Sequence, residues 1–191
     1  ITSGIAGPVA SRELANQGAQ VVHIQTGARR AARRQAPAVS ETSIMGIPAD
    51  CYNRTKYGMA LNLKHPRAGV VRDKLIRWAD IVLENFKPGT VDELGLNYEY
   101  MRSIKPDIIM VSSSGHGQTG PHGPQGGFDG CANAVSGRIY LAGWSDRGAV
   151  NPNDVPYADI VHPLFAAIAM VAALDYKRRT GKGQYIDIAM N

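Results

Sequence analysis

The sequence predicts an α/β fold in which a parallel β-sheet is covered by helices on both faces. Segments with strand character alternate with helical segments along the chain. Strand segments such as 81–83 and 108–111 are continuously apolar and lack the period-two alternation that marks a sheet with one solvated face. Ligands bind such sheets where the strands end, so the site is expected in the segments that follow the strands. Those segments are 25–34, 64, 84–89 and 112–129.

The expected strands are short and bounded by residues that favour turns. They are 21–24, 59–63, 81–83, 108–111 and 185–189. The first lies between Gly18 and Gly27, and the second, 59–63, is interpreted as a short alternating strand. The fourth leads into a glycine-rich loop over 112–121.

The expected helices differ in length and in apolar pattern. They are 8–17, 66–79, 91–94, 98–104, 128–135 and 159–179. The first ends at Gly18, a residue that favours the C-terminal cap. The second is amphipathic. Its inward side chains are expected to be Val70, Val71, Leu75 and Trp78. The polar, arginine-rich segment 26–55 is expected to form a long loop.

Length and composition describe an ordinary globular domain. The 191 residues suffice for one buried core, with 44% hydrophobic and 19% charged residues. The longest apolar run, 164–174, is shorter than the roughly 20 residues that span a bilayer. The two cysteines lack metal spacing and fit a reducing cytosol, so a cytoplasmic location is expected. Because the chain begins without methionine, we expect its natural N-terminus to lie upstream.

The net charge of +5 comes largely from two basic clusters, at 29–34 and 177–182. A solvated surface is the simplest interpretation of such clusters, and a phosphate-bearing small molecule is the functional alternative. Nucleic-acid binding is disfavoured because no aromatic residues interleave with the arginines.

Three familiar site motifs are incomplete in this sequence. Gly115, Gly117 and Gly120 match the letters of a dinucleotide-binding loop, but Pro121 follows where a helix is required. The five histidines show no paired metal spacing and are expected in turns or on the surface. The sequence has no Gly-x-Ser-x-Gly elbow of a serine hydrolase. We therefore expect neither a metal ion nor a permanently bound cofactor.

One carboxylate, Asp159, stands where the long apolar helix begins. Aspartate in this position commonly caps a helix by accepting free backbone N–H groups. A partly desolvated carboxylate at the positive end of a helix can instead attack an activated acyl group, and the helix dipole is expected to keep it ionised at neutral pH. The residues themselves leave both roles open.

Eight short strings carry a family resemblance that runs over nearly the whole chain. They are Ala6 to Pro8, Gly18 to Val22, Ala60 to Lys64, Ala79 to Gly89, Leu94 to Leu96, Gly115 to Pro121, Tyr157 to Asp159 and Arg179 to Gln184. In this order they resemble the class III CoA-transferases, the family that also contains formyl-CoA transferase, carnitine CoA-transferase and α-methylacyl-CoA racemase. The resemblance implies a Rossmann-like sheet and places the family's catalytic aspartate at Asp159. It further implies that residues 1–191 are the N-terminal portion of the large CoA-binding domain, without the small domain and the C-terminal return.

The implied reaction moves CoA from an acyl-CoA donor to a carboxylic acid acceptor through covalent intermediates on Asp159. Coenzyme A is then a substrate and not a resident cofactor. Backbone N–H groups of Gly126 and Gly127 would stabilise the tetrahedral oxyanions. The implied partners are a second chain, in an interlocked homodimer or heterodimer, with neither nucleic acid nor membrane.

The resemblance also places residues that would contact CoA. Arg33 falls where the family keeps an arginine for a CoA phosphate, a task that suits a guanidinium fork. Arg12 falls where transferases often have a glutamine near the catalytic carboxylate. The segments that match the nucleotide and thioester contacts are Leu61, Asn62, Leu63 and Lys64, then Asn85, Phe86 and Lys87, and finally Gly126, Gly127, Phe128 and Asp129.

Two departures from the family pattern bear on the reaction. Racemases of the family carry a histidine where this chain has Phe128, so Asp159 lacks a partner for proton abstraction and racemase activity is disfavoured. Glu93 stands where some transferases have an arginine near CoA. An acyl-CoA racemase and a non-catalytic subunit of a hetero-oligomeric transferase are the alternative functions. Deuterium uptake at the α-carbon of a chiral acyl-CoA would identify a racemase. A second chain that co-purifies with this one would identify a subunit of a hetero-oligomer.

Overall fold

The strands of the domain are parallel in every pairing, as the continuously apolar segments predict. The computed structural model describes residues 1–25, 49–149 and 156–191. The strands within these residues are β1 (Val22–Gln25), β2 (Tyr57–Ala60), β3 (Ile81–Glu84), β4 (Ile109–Ser114) and β5 (Tyr185–Ala189). The bounds of β5 are those predicted. Strand β2 begins two residues before the predicted segment, and β4 continues past its predicted end to Ser114.

Helices connect these strands and account for most of the predicted helical segments. They are α1 (Ala6–Asn16), α2 (Ala68–Trp78), α3 (Thr90–Glu93), α4 (Tyr98–Ile104), α5 (Asp129–Val135), α6 (Arg138–Leu141) and α7 (Tyr157–Thr180). The bounds of α4 are those predicted, and the Asn97 side chain caps it by accepting the Tyr100 N–H at 2.9 Å. Helix α6 was not predicted. Of the predicted loop, residues 26–48 lie outside the described residues, and Ala49–Asn53 form a 3-10 turn.

The described strands form two sheets instead of the one that was predicted. Strands β1 and β2 form one, and β3, β4 and β5 form the other in that order. Between β1 and β3 lies a cavity of about 520 Å³ lined by residues of both strands. The N-terminal segment bridges the two sheets at one end of this cavity. The Ile1 nitrogen donates to the Leu83 carbonyl at 2.8 Å, and the His23 ring contacts the Thr2 carbonyl at 3.0 Å.

Apolar side chains cover both faces of the three-stranded sheet, as predicted. Along β4 the buried side chains alternate between two cores. Ile109 and Val111 pack with Met170 of α7 on one face. On the other face Met110 packs with Ile76 of α2. The central strand is therefore buried on both sides, which explains why its sequence lacks polar alternation.

The predicted inward face of α2 is wrong. Val70 and Trp78 are 66% and 50% exposed, and Val71 is also exposed, whereas Ala68 and Ile76 are buried. Only Leu75 of the predicted set is partly buried and lines the cavity beside β3. The two buried positions, Ala68 and Ile76, are spaced i, i+8 along the helix, and Ala68 is a smaller residue than the valines that the sequence pattern favoured.

Helix α7 contributes one face to the core and leaves another uncovered by the described residues. Ala166, Met170 and Ala173 are buried against α1 and the sheet. Leu164 and Ile168 on the opposite side are 49% and 64% exposed. By length and composition alone, this helix could cross a membrane. A helix that is apolar on both faces is equally characteristic of a protein core, and the inner face of α7 is used in that way.

Candidate active site

Asp159 lies in the first turn of α7, beyond the carboxyl end of the three-stranded sheet. The helix begins at Tyr157, so Asp159 is its third residue. Within the described residues its carboxylate accepts no hydrogen bond from its own helix; its backbone partner is the Ala6 N–H at the start of α1. The structure therefore does not show the capping role that the sequence left open.

A second carboxylate, Asp129, performs the capping. Its Oδ1 accepts the backbone N–H of Asp159 at 2.9 Å, and its Oδ2 accepts the side-chain amide of Asn133 at 2.7 Å. Asp129 thus bonds a free N–H of the first turn of α7 and fixes the start of that helix against α5. The carboxylates of Asp129 and Asp159 consequently lie at one site.

The environment of Asp159 raises the pKa of its carboxyl group to about 6. Burial is the largest cause, and the negative charge of Asp129 is the second, while the Ala6 N–H acts in the opposite direction. The sequence analysis expected the helix dipole to keep this carboxylate ionised at neutral pH and did not anticipate that burial would raise its pKa. Such a group is still about 90% ionised at pH 7, and it is more basic than an ordinary aspartate.

Helix α1 reaches Asp159 because its first turn packs closely against β3 and the N-terminal segment. A Cβ on Gly7 would lie 2.8 Å from Asn85 Cγ and from Thr2 Cβ, so only glycine fits. The Asn85 amide holds the backbone of Ser3 through Ser3 N–H···Oδ1 at 2.8 Å and Nδ2–H···O at 2.7 Å. Asn85, predicted to contact CoA, therefore has an evident structural task, and its CoA contact stays a prediction.

Several predicted site segments do meet at the carboxyl end of the sheet. A Cβ on Gly115 would lie 2.6 Å from Gly127 Cα, so these two glycines are in backbone contact. A Cβ on Gly126 would lie 4.0 Å from Lys87 Cδ. Phe128 is 84% exposed beside Asp129, at the position where racemases of the family carry a histidine. Two predicted segments, 84–89 and 112–129, therefore meet here, and the second reaches the start of α7 through Asp129.

Other predicted residues have different surroundings. Arg12 pairs with Glu13 at 2.9 Å and donates to the Cys51 carbonyl at 3.4 Å. The structure shows no contact between it and Asp159. Leu63 is buried in the core with Ile76, which gives it a packing role. Their proposed contacts with CoA remain predictions.

The remaining predicted CoA contacts are mostly polar or partly exposed. Leu61 and Phe86 are partly buried against the core, whereas Asn62 and Lys64 are exposed. The Asn62 side chain accepts the Lys64 N–H at 3.2 Å. Arg33 lies outside the described residues. For each of these residues the contact with CoA stays a prediction.

Sequence reasoning missed two buried groups beside the site. His162, one turn after Asp159, is 4% exposed, so the surface position expected for it was wrong. Its Nδ1 donates to the Ala189 carbonyl at 3.1 Å, and its Nε2 accepts the Ser113 hydroxyl at 2.6 Å. Burial lowers its pKa and keeps it neutral. The other group, Glu84, is 1% exposed and has its pKa raised by burial.

A histidine within an apolar helix was the available signal for His162, whereas nothing in the sequence showed that Ser113 would face it. His23 is also buried, contrary to expectation. Within the described residues, no group of three or more His, Cys, Asp or Glu side chains is arranged to hold a metal ion.

Comparison with known proteins identifies the family. The sequence model of CoA-transferase family III matches residues 1–191. The chain is 40% identical over 138 residues to the succinyl-CoA–L-malate CoA-transferase beta subunit of Chloroflexus aurantiacus, covering 72% of this chain and 34% of that protein. It is 37% identical over 188 residues to the succinyl-CoA:glutarate CoA-transferase of Mus musculus, covering 98% and 42%.

Solved structures agree with the sequence comparison. A CAIB/BAIF family protein from Brucella suis superposes with a TM-score of 0.84 at 33% identity, covering 97% of this chain and 50% of that one. The chain spans between about a third and a half of the length of the curated relatives it matches. On the family match and these identities, the chain belongs to CoA-transferase family III.

Proposed function

We propose that the protein is a CoA-transferase that moves CoA from an acyl-CoA to a carboxylic acid, with Asp159 as the covalent nucleophile. The observation that carries the proposal is the surroundings of Asp159. This carboxylate is half-buried, faces the first N–H of α1 and has its own backbone held by Asp129. Family membership supports the reaction class.

The first half of the reaction transfers CoA to the enzyme. The Asp159 carboxylate attacks the thioester carbonyl, the C–S bond breaks, and CoA thiolate leaves behind a mixed anhydride. The thiolate then attacks the aspartyl carbonyl, which gives an aspartyl-CoA thioester and releases the donor acid as its carboxylate. No proton is transferred in either step, so the reaction needs no general base.

The second half reverses these steps with a different acid. The acceptor carboxylate attacks the aspartyl thioester and again displaces CoA thiolate. The thiolate attacks the acceptor's acyl carbonyl, forms the new acyl-CoA and restores the Asp159 carboxylate. Because the thioester energy is kept in covalent intermediates, water must be excluded, and the burial that raises the pKa of Asp159 serves that purpose.

Backbone N–H groups supply the oxyanion stabilisation in this proposal. Gly126 and Gly127 precede Asp129, whose side chain contacts the backbone of Asp159. The close approach of Gly127 to Gly115 fixes that segment without side chains that would block an acyl group. Fixed N–H donors beside a reacting carbonyl stabilise developing negative charge without reorganisation.

Dicarboxylic acids are the proposed substrates. Relatives are named for succinyl-CoA together with malate, glutarate or citramalate, and another for acetyl-CoA and oxalate. The conserved reaction class and identities of 31–37% with these proteins support the same class of acid here. The identity of the individual donor and acceptor is decided by assay of a series of acids.

The proposed assembly is a dimer of interlocked chains, either alike or unlike. Relatives named as alpha and beta subunits support unlike pairs. The outer face of α7 and the neighbouring Tyr140, Leu141 and Trp144 are apolar and exposed, which is typical of a surface covered in an assembly. A pairing with an unlike chain would also admit the alternative that this chain is the non-catalytic subunit.

Substitution of Asp159 tests the proposal. In the protein at its full natural length, Asp159→Ala should abolish CoA transfer, while the dissociation constant for CoA stays within several-fold of the unaltered value. Asp92→Ala, on α3, is the matched control for loss of a carboxylate. Retained kcat in Asp159→Ala would refute the role of nucleophile.

A further inference from the structure

Arg138 differs from the other half-buried arginines of the described residues. Arg12 donates to Glu13 and Cys51, and Arg72 donates to the Leu94 carbonyl at 3.0 Å. Arg138 has no ion pair and no hydrogen-bond acceptor within residues 1–25, 49–149 and 156–191, and its Nη1 is fully buried. Arg12 and Arg72 also have a buried Nε without an acceptor, but their Nη groups are hydrogen-bonded. A half-buried guanidinium without an acceptor is costly, which points to a ligand that reaches its accessible N–H groups.

The Arg138 side chain is held in place by an aromatic ring. Its guanidinium carbon lies 3.9 Å from the centroid of the Tyr157 ring, a close cation–π contact. Stacking uses the face of the guanidinium plane and leaves the in-plane N–H groups to bind another molecule. Those N–H groups form the fork that matches a carboxylate in two parallel hydrogen bonds.

This ring also brings Arg138 to the end of α7 that carries Asp159. Tyr157 and Asp159 both lie in the first turn of α7, so their Cα atoms are at most about 7.6 Å apart, two steps of about 3.8 Å. Helix α6, which begins at Arg138, follows α5, whose first residue Asp129 bonds the Asp159 backbone. The unpaired cation and the proposed nucleophile therefore flank the same end of one helix.

We propose that Arg138 binds the second carboxylate of a dicarboxylic acid whose first carboxylate reacts at Asp159. The inference rests on the proposed function and extends it to the selection of the acid. The second carboxylate supplies the hydrogen-bond acceptor that Arg138 lacks among the described residues. It also holds at its other end a substrate that is otherwise held only at Asp159. Acids with a single carboxylate lack this contact and react with lower kcat/KM.

The test compares glutarate with its monomethyl ester as acceptors in the protein at its full natural length. Arg138→Gln should lower kcat/KM for glutarate by about 10- to 100-fold, the range for loss of a charged hydrogen-bonding partner. The kcat/KM for the ester should change by no more than several-fold, so the preference for the diacid should disappear. Arg147 is an exposed arginine that lies 6.0 Å from the centroid of the Trp144 ring. Arg147→Gln is the control and should change kcat/KM for neither substrate.

Three outcomes of the kinetic comparison would overturn the proposal. An equal loss for both acids would mean that Arg138 only supports the fold, and no loss for glutarate would mean that it contacts neither acid. If circular dichroism shows that Arg138→Gln does not fold, the same comparison of glutarate with its ester is made with Arg138→Lys. The lysine keeps the charge without the fork, and a loss confined to glutarate supports the proposal, whereas unchanged discrimination overturns it.

Calorimetric binding of glutarate separates this inference from the proposed function. If the unaltered protein transfers CoA to no acid, the proposed function fails. Glutarate binding that is lost in Arg138→Gln but kept in Arg147→Gln would still establish the carboxylate site. The absence of glutarate binding to the unaltered protein would overturn the site as well.

Discussion

The raised pKa of Asp159 predicts where activity falls at low pH and which neighbour sets that point. The group titrates at about 6 in the folded protein, against an ordinary value of 3.8, because of burial first and Asp129 second. Only the ionised carboxylate attacks a thioester. Activity should therefore be near its plateau at pH 7 and fall about tenfold for each unit below about pH 6.

Asp129→Asn isolates the contribution of the neighbouring charge. The substitution removes one negative charge, yet the amide oxygen can still accept the Asp159 N–H that Oδ1 accepts at 2.9 Å. Because Asp129 raises the pKa of Asp159, its removal should move the acid limb toward lower pH, by roughly one unit. The variant should thus retain more of its plateau activity at pH 5 than the unaltered protein does.

The assay is kcat/KM for acyl-CoA consumption, measured from about pH 4.5 to about pH 8 on the protein at its full natural length. Asp146→Asn, an exposed carboxylate beside Arg147, serves as the matched control and should leave the limb in place. An acid limb at or below pH 4 in the unaltered protein would refute the assigned pKa. An unmoved limb in Asp129→Asn would refute the electrostatic role of Asp129.

Three further predictions concern stability. The folded-state pKa of Asp159 lies above its unfolded value, so its ionisation opposes folding once the pH rises through 3.8 toward about 6. Asp159→Asn should therefore stabilise the protein at pH 7.5, by about 1–2 kcal/mol after allowance for partial exposure, and less at pH 4, by urea denaturation. Gly183→Ala should be strongly destabilising, because its Cβ would lie 2.0 Å from the Ile108 carbonyl oxygen; a melting temperature within about 2 °C would contradict this. Asn85→Ala removes both hydrogen bonds to Ser3 and should cost about 1–3 kcal/mol in the same denaturation assay, and an unchanged midpoint would contradict it.

Local signals in the sequence account for the elements that were predicted well. Helix α4 follows a capping Asn97, and β5 is a short segment with two isoleucines after a glycine-bounded turn. Both depend on neighbouring residues, so sequence reasoning reached their bounds. Helix α6 has four residues and no strong cap or periodicity, and sequence reasoning did not find it.

Long-range contacts account for what sequence reasoning missed at the site. The position of Asp159 at a helix start was readable from the apolar residues that follow it. The direction of its pKa shift was not, because burial, the largest cause, and the charge of Asp129, thirty residues away along the chain, act on Asp159 only in the folded domain. The buried pairing of His162 with Ser113 has the same origin, since it joins α7 to β4.

The central claim is that Asp159 carries the acyl group and CoA covalently. The direct test is hydroxylamine trapping on the protein at its full natural length, after addition of acyl-CoA, followed by peptide mass spectrometry. We expect a hydroxamate at Asp159 that requires acyl-CoA and does not form in Asp159→Asn. Turnover of acyl-CoA with Asp159 unmodified, or with the hydroxamate on another carboxylate, would contradict the account.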